Sequence, residues 1–254
     1  MTVLGDLLSV RHHSTYGWRA KIGLIVPPTN TVNESEWRIA MPEGVSFHTH
    51  RMALHSDIDT SEGKTRLHRD LDDAFAMLLP AEPDVVAYAC TAGSMVKPVD
   101  SLPAALSQRH GVKTVTTSAA IVAALRSVNA KSLSVATPYG ETLNAHEARF
   151  LEDHGFRVER ISGLGIGERG PSEYPLIART SIERVRAHAC EAFVPGSDAL
   201  LLLCTDFPSQ PLITDLEAEL GVQVITSNQA TLWACLRAAN VDDRPAPLGR
   251  LAMH

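Results

Sequence analysis

Short apolar runs alternate with segments of helical spacing along most of the chain. Ile22-Gly23-Leu24-Ile25-Val26, Val85-Val86-Ala87, Leu133-Ser134-Val135-Ala136 and Ala199-Leu200-Leu201-Leu202-Leu203 have the length and continuous apolar character of buried strands. Between such runs, Leu67, Leu71, Phe75 and Leu78 recur at helical spacing before Pro80. Leu143, Glu147, Phe150 and Leu151 share another helical segment, which Gly155 closes in a C-cap position. Strand and helix in alternation predict parallel strands with helices on both faces, joined by right-handed crossovers.

The pattern is written twice. Asp84-Val-Val-Ala-Tyr-Ala-Cys90-Thr91 and Asp198-Ala-Leu-Leu-Leu-Leu-Cys204-Thr205 each carry an apolar run into a cysteine and a threonine. Ile22 to Pro27 precedes the first as Leu133 to Pro138 precedes the second. Val115-Thr116-Thr117-Ser118 and Val224-Ile225-Thr226-Ser227 follow them, each reading as a strand end and a helix start. Matched landmarks in the same order predict two pseudo-symmetric flavodoxin-like α/β halves with parallel sheets and an active-site cleft between them. The boundaries drawn are residues 20–130 for the first half, with part of the C-terminal segment free to cross back to it, and 131–254 for the second. Residues 1–19 fit neither half and read as an N-terminal arm over the body or a partner subunit.

Composition narrows the function classes. At 254 residues the chain can bury a substantial core, and a formal charge of −6 without a basic tract argues against a nucleic-acid partner. No apolar run approaches the roughly 20 residues of a membrane helix, and the start lacks a secretory apolar region, so a cytoplasmic setting is the expectation. The cysteines Cys90, Cys190, Cys204 and Cys235 show no metal-finger spacing, and in a reducing compartment they remain thiols. No metal and no cofactor is expected.

The ends of parallel strands open onto the ligand crevice, which places Cys90 and Cys204 across one cleft. A thiol among backbone N–H groups ionises more readily and becomes a strong nucleophile or a usable base. The small residues Thr91-Ala92-Gly93-Ser94 let backbone amides approach an anion, so the loop could hold a substrate carboxylate. Opposed thiols suit a reaction that moves a proton, or adds and removes a nucleophile, on a small carbon acid.

On Val26-Pro27-Pro28-Thr29-Asn30-Thr31, Cys90-Thr91-Ala92-Gly93-Ser94, Thr137-Pro138-Tyr139 and Cys204-Thr205, the chain resembles the aspartate/glutamate racemase superfamily. Within it, the resemblance is to the maleate cis/trans isomerase and arylmalonate decarboxylase branch. The resemblance implies Cys90 as nucleophile toward an alkene carbon, Cys204 as acid/base at the neighbouring carbon, and Asn30 and Tyr139 as hydrogen-bonding partners of the substrate carboxylates. Thr91, Ser94 and Thr205 complete the implied substrate-binding set. It also implies a homo-oligomer, a dimer or larger. Cys90 favours isomerase or racemase chemistry over decarboxylation, which in that branch uses the thiol corresponding to Cys204. Cys204-Thr205-Asp206-Phe207-Pro208 looks more like amino-acid or hydantoin racemases, and a non-catalytic small-acid binding protein is the remaining alternative. Two departures bear on the substrate. The family's asparagine after the strand near Ile161 is not evident in residues 163–170, and an inward Asp206 carboxylate would disfavour a Cys204 thiolate.

Other signals read as structure. Residues 165–170 match GxGxxG, but Pro171 and Pro175 follow and rule against a long helix. His12, His13, His48, His50 and His55 lack carboxylate partners at ligand spacing. Cys190 and Cys235 read as small core residues, Ser118 and Ser227 as helix caps, Asn30 as either a cap or a substrate contact, and Arg51 as either a surface ion pair or a carboxylate partner.

Overall fold

The computed structural model describes residues 11–55 and 60–254. Strands Ala20–Val26 (β1), Val45–Arg51 (β2), Val85–Tyr88 (β3) and Lys113–Thr116 (β4) form one sheet, and Ser132–Tyr139 (β5), Arg157–Ile166 (β6), Ala199–Leu202 (β7) and Gln223–Thr226 (β8) form another. The order is β2-β1-β3-β4 in the first and β6-β5-β7-β8 in the second, all neighbours parallel. The duplicated phrases of the sequence are thus a duplicated topology.

Helices Asn33–Ala40 (α1), Ser61–Leu78 (α2), Ser101–His110 (α3) and Thr117–Ser127 (α4) accompany the first sheet. Glu141–Asp153 (α5), Ile182–Ala192 (α6), Ile213–Leu220 (α7) and Ser227–Ala238 (α8) accompany the second. Their stops match as well as their starts. α3 and α7 both end on a left-handed glycine, Gly111 at φ 69° and Gly221 at φ 73°, whose N–H returns to Ser107 and Glu217 carbonyls. A β-carbon would strain both turns.

The main core lies between the two sheets. Ile22, Leu24 and Ala87 from the first meet Leu133, Val135, Leu201 and Ile225 from the second through Ile121 and Leu125 of α4 and Leu232 and Leu236 of α8. α8 leaves the second sheet yet packs on α4, β3 and β4, so the C-terminal segment crosses to the first half. Leu67, Leu71 and Phe75 of α2 cover the outer face of the first sheet, and Val185, Ala189 and Leu216 cover that of the second. Of the N-terminal arm, residues 1–10 lie outside the described residues. Arg11 and His12 bind Asp84 at 3.0 and 2.8 Å, fastening the described part to the first half.

Polar groups also cross between the halves. Glu36 of α1 is buried and accepts the Ser209 and Gln210 N–H groups at 2.6 and 2.8 Å and the Asn228 amide at 2.7 Å. Trp37 donates to the Asn228 carbonyl at 3.0 Å, and Asn33 to its side-chain oxygen at 2.7 Å. Burial pushes the Glu36 carboxyl up, and the bonds it accepts oppose the shift. Replacing it by alanine strands buried N–H groups at the junction. Glu36→Ala should lower the unfolding free energy in urea by about 3 kcal/mol or more, since each unsatisfied buried donor costs about 1–3 kcal/mol. A loss below about 1 kcal/mol would show that the junction holds without it.

Candidate active site

β3 and β7 stop two residues short of the cysteines, so each thiol emerges where a fully apolar strand reaches the carboxyl edge of its sheet. Cys90 and Cys204 line a single cavity of about 900 Å³. Four loops build it: Pro27, Thr29 and Asn30 follow β1, Thr91, Ala92 and Gly93 surround Cys90, Tyr139 and Gly140 end β5, and Thr205 and Asp206 follow Cys204. Both thiols are buried.

Each sulfur accepts from one tyrosine hydroxyl and one backbone N–H. Cys90 Sγ has Tyr88 and the Gly93 N–H, while Cys204 Sγ has Tyr139 and the Asp206 N–H at 3.3 Å. Gly93 is required for this approach, because a β-carbon there would lie 2.8 Å from Cys90 Sγ and 2.6 Å from the Tyr88 oxygen. Burial is the main cause that pushes both thiols up, Cys204 further, and the Asp206 carboxyl also opposes the Cys204 thiolate. Cys90 is therefore the more easily ionised. Burial and the adjacent thiols also push both tyrosines up, which keeps their hydroxyls protonated as donors.

Direct bonds join the cysteine loops. Ser227 Oγ accepts the Cys204 N–H at 3.0 Å and pairs with Thr91 Oγ1 at 2.9 Å. Thr205 Oγ1 donates to the Ala89 carbonyl at 3.2 Å and accepts from the Asn30 amide at 3.1 Å. Cys204 itself sits at φ 120°, a conformation that side chains rarely adopt, fixed on its N–H side by Ser227.

Of the residues singled out in the sequence, Asn30, Thr91, Tyr139 and Thr205 meet both cysteines at the cavity. Ser94 does not line it. A short 3-10 turn, Ala92–Ser94, rotates its hydroxyl inward, where it donates to the Cys90 and Thr91 carbonyls and accepts the Ser118 N–H. Ser118 and Ser227 are not caps: Thr226 caps α8, and Ser118 Oγ donates to the Ser94 carbonyl. Asn30 caps and lines at once, with Oδ1 accepting the Val32 and Asn33 N–H groups. Arg51 binds the Asn30 carbonyl and Glu34. Residues 165–170 end β6 and form a turn, followed by the 3-10 segment Pro171–Leu176. His12 and His55, read from the sequence as lacking carboxylate partners at ligand spacing, bind Asp84 and Asp70, and His110 binds Asp72. Cys235 is buried and Cys190 only half-buried.

Two carboxyls stand near the thiols, Asp206, which the sequence had flagged beside Cys204, and Glu147, which it had placed only on a helical face. Asp206 turns Oδ1 to the Thr31 and Val32 N–H groups at 2.8 and 3.2 Å, and burial pushes it up to about 6. Glu147, on the buried face of α5 with Phe150 and Leu151, is fully buried, and neither oxygen has a partner among the described residues. Burial pushes it up to about 8, and when ionised it opposes thiolate formation at both cysteines.

A family model described as arylmalonate decarboxylase matches residues 22–252. A maleate isomerase of Nocardia farcinica is 28% identical over 244 residues, spanning 91% of this chain and 94% of that protein. An arylmalonate decarboxylase of Bordetella bronchiseptica is 26% identical over 234 residues, spanning 91% and 95%. Among solved structures, a Nocardia farcinica maleate cis-trans isomerase mutant with a covalently bound succinylcysteine intermediate superposes with a TM-score of 0.79 at 24% identity, covering 92% of this chain and 98% of its own. A crystal structure of arylmalonate decarboxylase gives 0.77 at 25%, covering 92% and 99%.

Glu147 makes a testable mark on stability. Its carboxyl rises from about 4.5 to about 8 on folding, so its neutral form belongs to the fold. Its contribution is complete below about pH 4.5 and is lost as pH rises through about 8. Glu147→Gln, which imitates the neutral acid, should match the wild type in chemical unfolding near pH 4 and exceed it by on the order of 4 kcal/mol at pH 9. A difference that stays level across this range would refute a buried neutral carboxyl.

Proposed function

The chain belongs to the arylmalonate decarboxylase family, and from that membership we propose that it is a cofactor-independent cis/trans isomerase of a small dicarboxylate of the maleate type. The observation carrying this reading is the pair of buried thiols on one cavity, similarly supplied with donors but unequal in ease of ionisation. A decarboxylase that protonates a planar intermediate uses one thiol, and this cavity has two.

Cys90, as its thiolate held by Tyr88 and the Gly93 N–H, adds to one alkene carbon and forms the C–S bond. The alkene π pair takes the proton of the Cys204 thiol at the neighbouring carbon. The result is a succinyl-cysteine, the kind of adduct named for the Nocardia mutant. Its central C–C bond is now single and turns. Cys204 thiolate, accepting from Tyr139 and the Asp206 N–H, then removes a proton from the same carbon. The electron pair rebuilds the double bond, the C–S bond breaks, and the trans acid leaves with Cys90 again a thiolate and Cys204 again a thiol. No electron is gained or lost.

Asn30, Thr91 and Thr205 are the groups we assign to the substrate carboxylates, while Tyr139, whose hydroxyl proton serves Cys204, lines the cavity beside them. Asn30 uses one amide N–H on Thr205 and has a second for substrate. Ser94 holds the Cys90 loop in shape instead. A cytoplasmic setting, where both thiols stay reduced, and assembly into a homo-oligomer accompany this reading.

Proton NMR of the protein with maleate in deuterated buffer tests it. Fumarate should appear, and Cys90→Ala and Cys204→Ala should each lower the rate by about a thousandfold or more, as loss of a covalent nucleophile or its proton partner does. Loss of carboxyl from phenylmalonate that needs Cys204 and tolerates Cys90→Ala would move the assignment to decarboxylation. Ligand binding without turnover, indifferent to both substitutions, would leave a binding protein.

A further inference from the structure

Tyr139 serves Cys204 from β5, the strand beside β7, and it stands where β5 and its other neighbour fall out of step. β5 and β6 pair with Thr137 opposite Gly163 but Tyr139 opposite Ile166, so β6 carries one residue more than β5 over this stretch. An extra residue bends its strand and raises the local twist, and the ladder alone no longer fixes where Tyr139 points. Pro138, between Thr137 and Tyr139, has no N–H to give to the ladder.

Side chains supply the missing ties. Asn144, on the buried face of α5, accepts the Thr137 hydroxyl proton through Oδ1 at 2.5 Å. With its proton committed there, Thr137 Oγ1 is left to accept, and it takes the Tyr139 N–H at 3.1 Å. The Asn144 amide nitrogen faces the Tyr139 carbonyl at 3.5 Å. The amide cannot sit the other way round, because two oxygens would then confront each other at Tyr139. Gly163 of β6 makes room for this contact: a β-carbon there would lie 2.0 Å from the Tyr139 carbonyl oxygen and 2.3 Å from Asn144 Nδ2. Just before the break, His188 of α6 donates through Nε2 to the Thr137 and Ser162 carbonyls at 3.1 and 3.0 Å and ties β5 to β6.

The first half shows that the strand-to-helix turn does not need such a relay. Val26 precedes Pro27 as Thr137 precedes Pro138, and seven residues after them stand Asn33 and Asn144. Val26 has no hydroxyl, and Asn33 gives its amide to Asn228 of α8 instead. There the thiol takes its tyrosine, Tyr88, from its own strand. The relay is found where the tyrosine must reach across to the thiol of a neighbouring strand.

We propose that Thr137 and Asn144 are positioning residues that set Tyr139 so that its hydroxyl donates to Cys204 Sγ whenever that sulfur gives up its proton. The inference rests on the isomerase reading above, in which Cys204 supplies and removes the proton at carbon. Neither side chain lines the cavity, so neither acts on substrate directly. Without them the Tyr139 hydroxyl loses its fixed direction, and a thiolate that burial already disfavours loses its donor.

Thr137→Val gives the second half the residue that the first half carries at the matching place. Its kcat for fumarate formation from maleate should fall about a hundredfold with KM within about threefold, as expected when a catalytic donor is misplaced. Thr137→Ser, which keeps the hydroxyl, should recover most of the rate. In the Cys90→Ala protein, alkylation of Cys204 by iodoacetamide at pH 8, read by mass spectrometry of its peptide, should slow about tenfold on adding Thr137→Val. Tyr139→Phe should produce both losses by itself. Thr137→Val added to Tyr139→Phe should cost no more than about twofold further, because the relay acts through the hydroxyl that is gone. Asn144→Leu repeats each reading, so that the outcome does not hang on one variant folding. Wild-type kcat in Thr137→Val overturns the proposal. A loss of the same factor with and without the Tyr139 hydroxyl also overturns it, since that is what a merely structural role predicts. So does a raised KM at unchanged kcat, which moves the pair to substrate binding. Absence of fumarate from the wild type removes the isomerase reading, whereas Cys204 alkylation unchanged by Thr137→Val sinks the positioning role alone.

Discussion

One hydroxyl, Ser227 Oγ, stands between the two cysteine loops, and the arrangement of the site depends on it. It accepts the N–H of Cys204 at 3.0 Å while pairing with Thr91 beside Cys90 at 2.9 Å. Cys204 adopts a backbone conformation at φ 120° that costs on the order of 1–3 kcal/mol and persists only where the surroundings fix it. Ser227 begins α8, the helix that leaves the second sheet and packs against the first. The strain at one thiol, the placement of the other and the seam between the halves therefore share an anchor. Thr205 repeats the tie in the opposite sense, donating to the Ala89 carbonyl just before Cys90. Separating the halves would break buried bonds at both thiols.

Within this frame burial governs the chemistry. A low dielectric disfavours every ionised group, so thiols, tyrosines and carboxyls around the cavity are pushed toward their neutral forms. Donors offset this locally. Tyr88 and Gly93 favour the anion of Cys90, and Tyr139 and the Asp206 N–H favour that of Cys204. Burial is the largest cause at both sulfurs; the Asp206 carboxyl opposes only the second thiolate, whereas Glu147 opposes both. A site that asks one sulfur to attack carbon and the other to deliver a proton is served by that inequality.

Much of this was legible in the chain because buried parallel strands leave an unmistakable record. Ala199 to Leu203 could be little else, and the repetition of an apolar run ending in Cys-Thr carried both the topology and the thiols. What was missed lies where tertiary contacts override local rules. Ser118 and Ser227 stand at helix starts, where a cap is the ordinary reading, yet long-range partners 24 and 23 residues away claim them. Ser94 follows Cys90 in sequence, but the 3-10 turn faces it away from the cavity. Glu147 keeps the spacing of an apolar face, so periodicity alone absorbed it. Tyr88 did leave a signal. Residues two apart on a strand share a face, and Tyr88 stands two before Cys90.

The duplication also explains why the two thiol sites are alike without being interchangeable. The first draws its tyrosine from its own strand, β3, and its N–H from Gly93. The second draws its tyrosine from the neighbouring strand, β5, and its N–H from Asp206. Those choices constrain the loops differently. A β-carbon at Gly93 would collide with both Cys90 Sγ and the Tyr88 oxygen, so no charged side chain can stand there. At Asp206 the side chain turns instead toward Thr31 and Val32, which lead into α1 and whose N–H groups hold its carboxylate. Two residues past its cysteine the first loop carries Ala92 and the second Asp206, so only the second sets a carboxyl beside its thiol. The asymmetry of the chemistry thus follows from side chains on two otherwise similar strand ends, with no need for the halves to differ in fold.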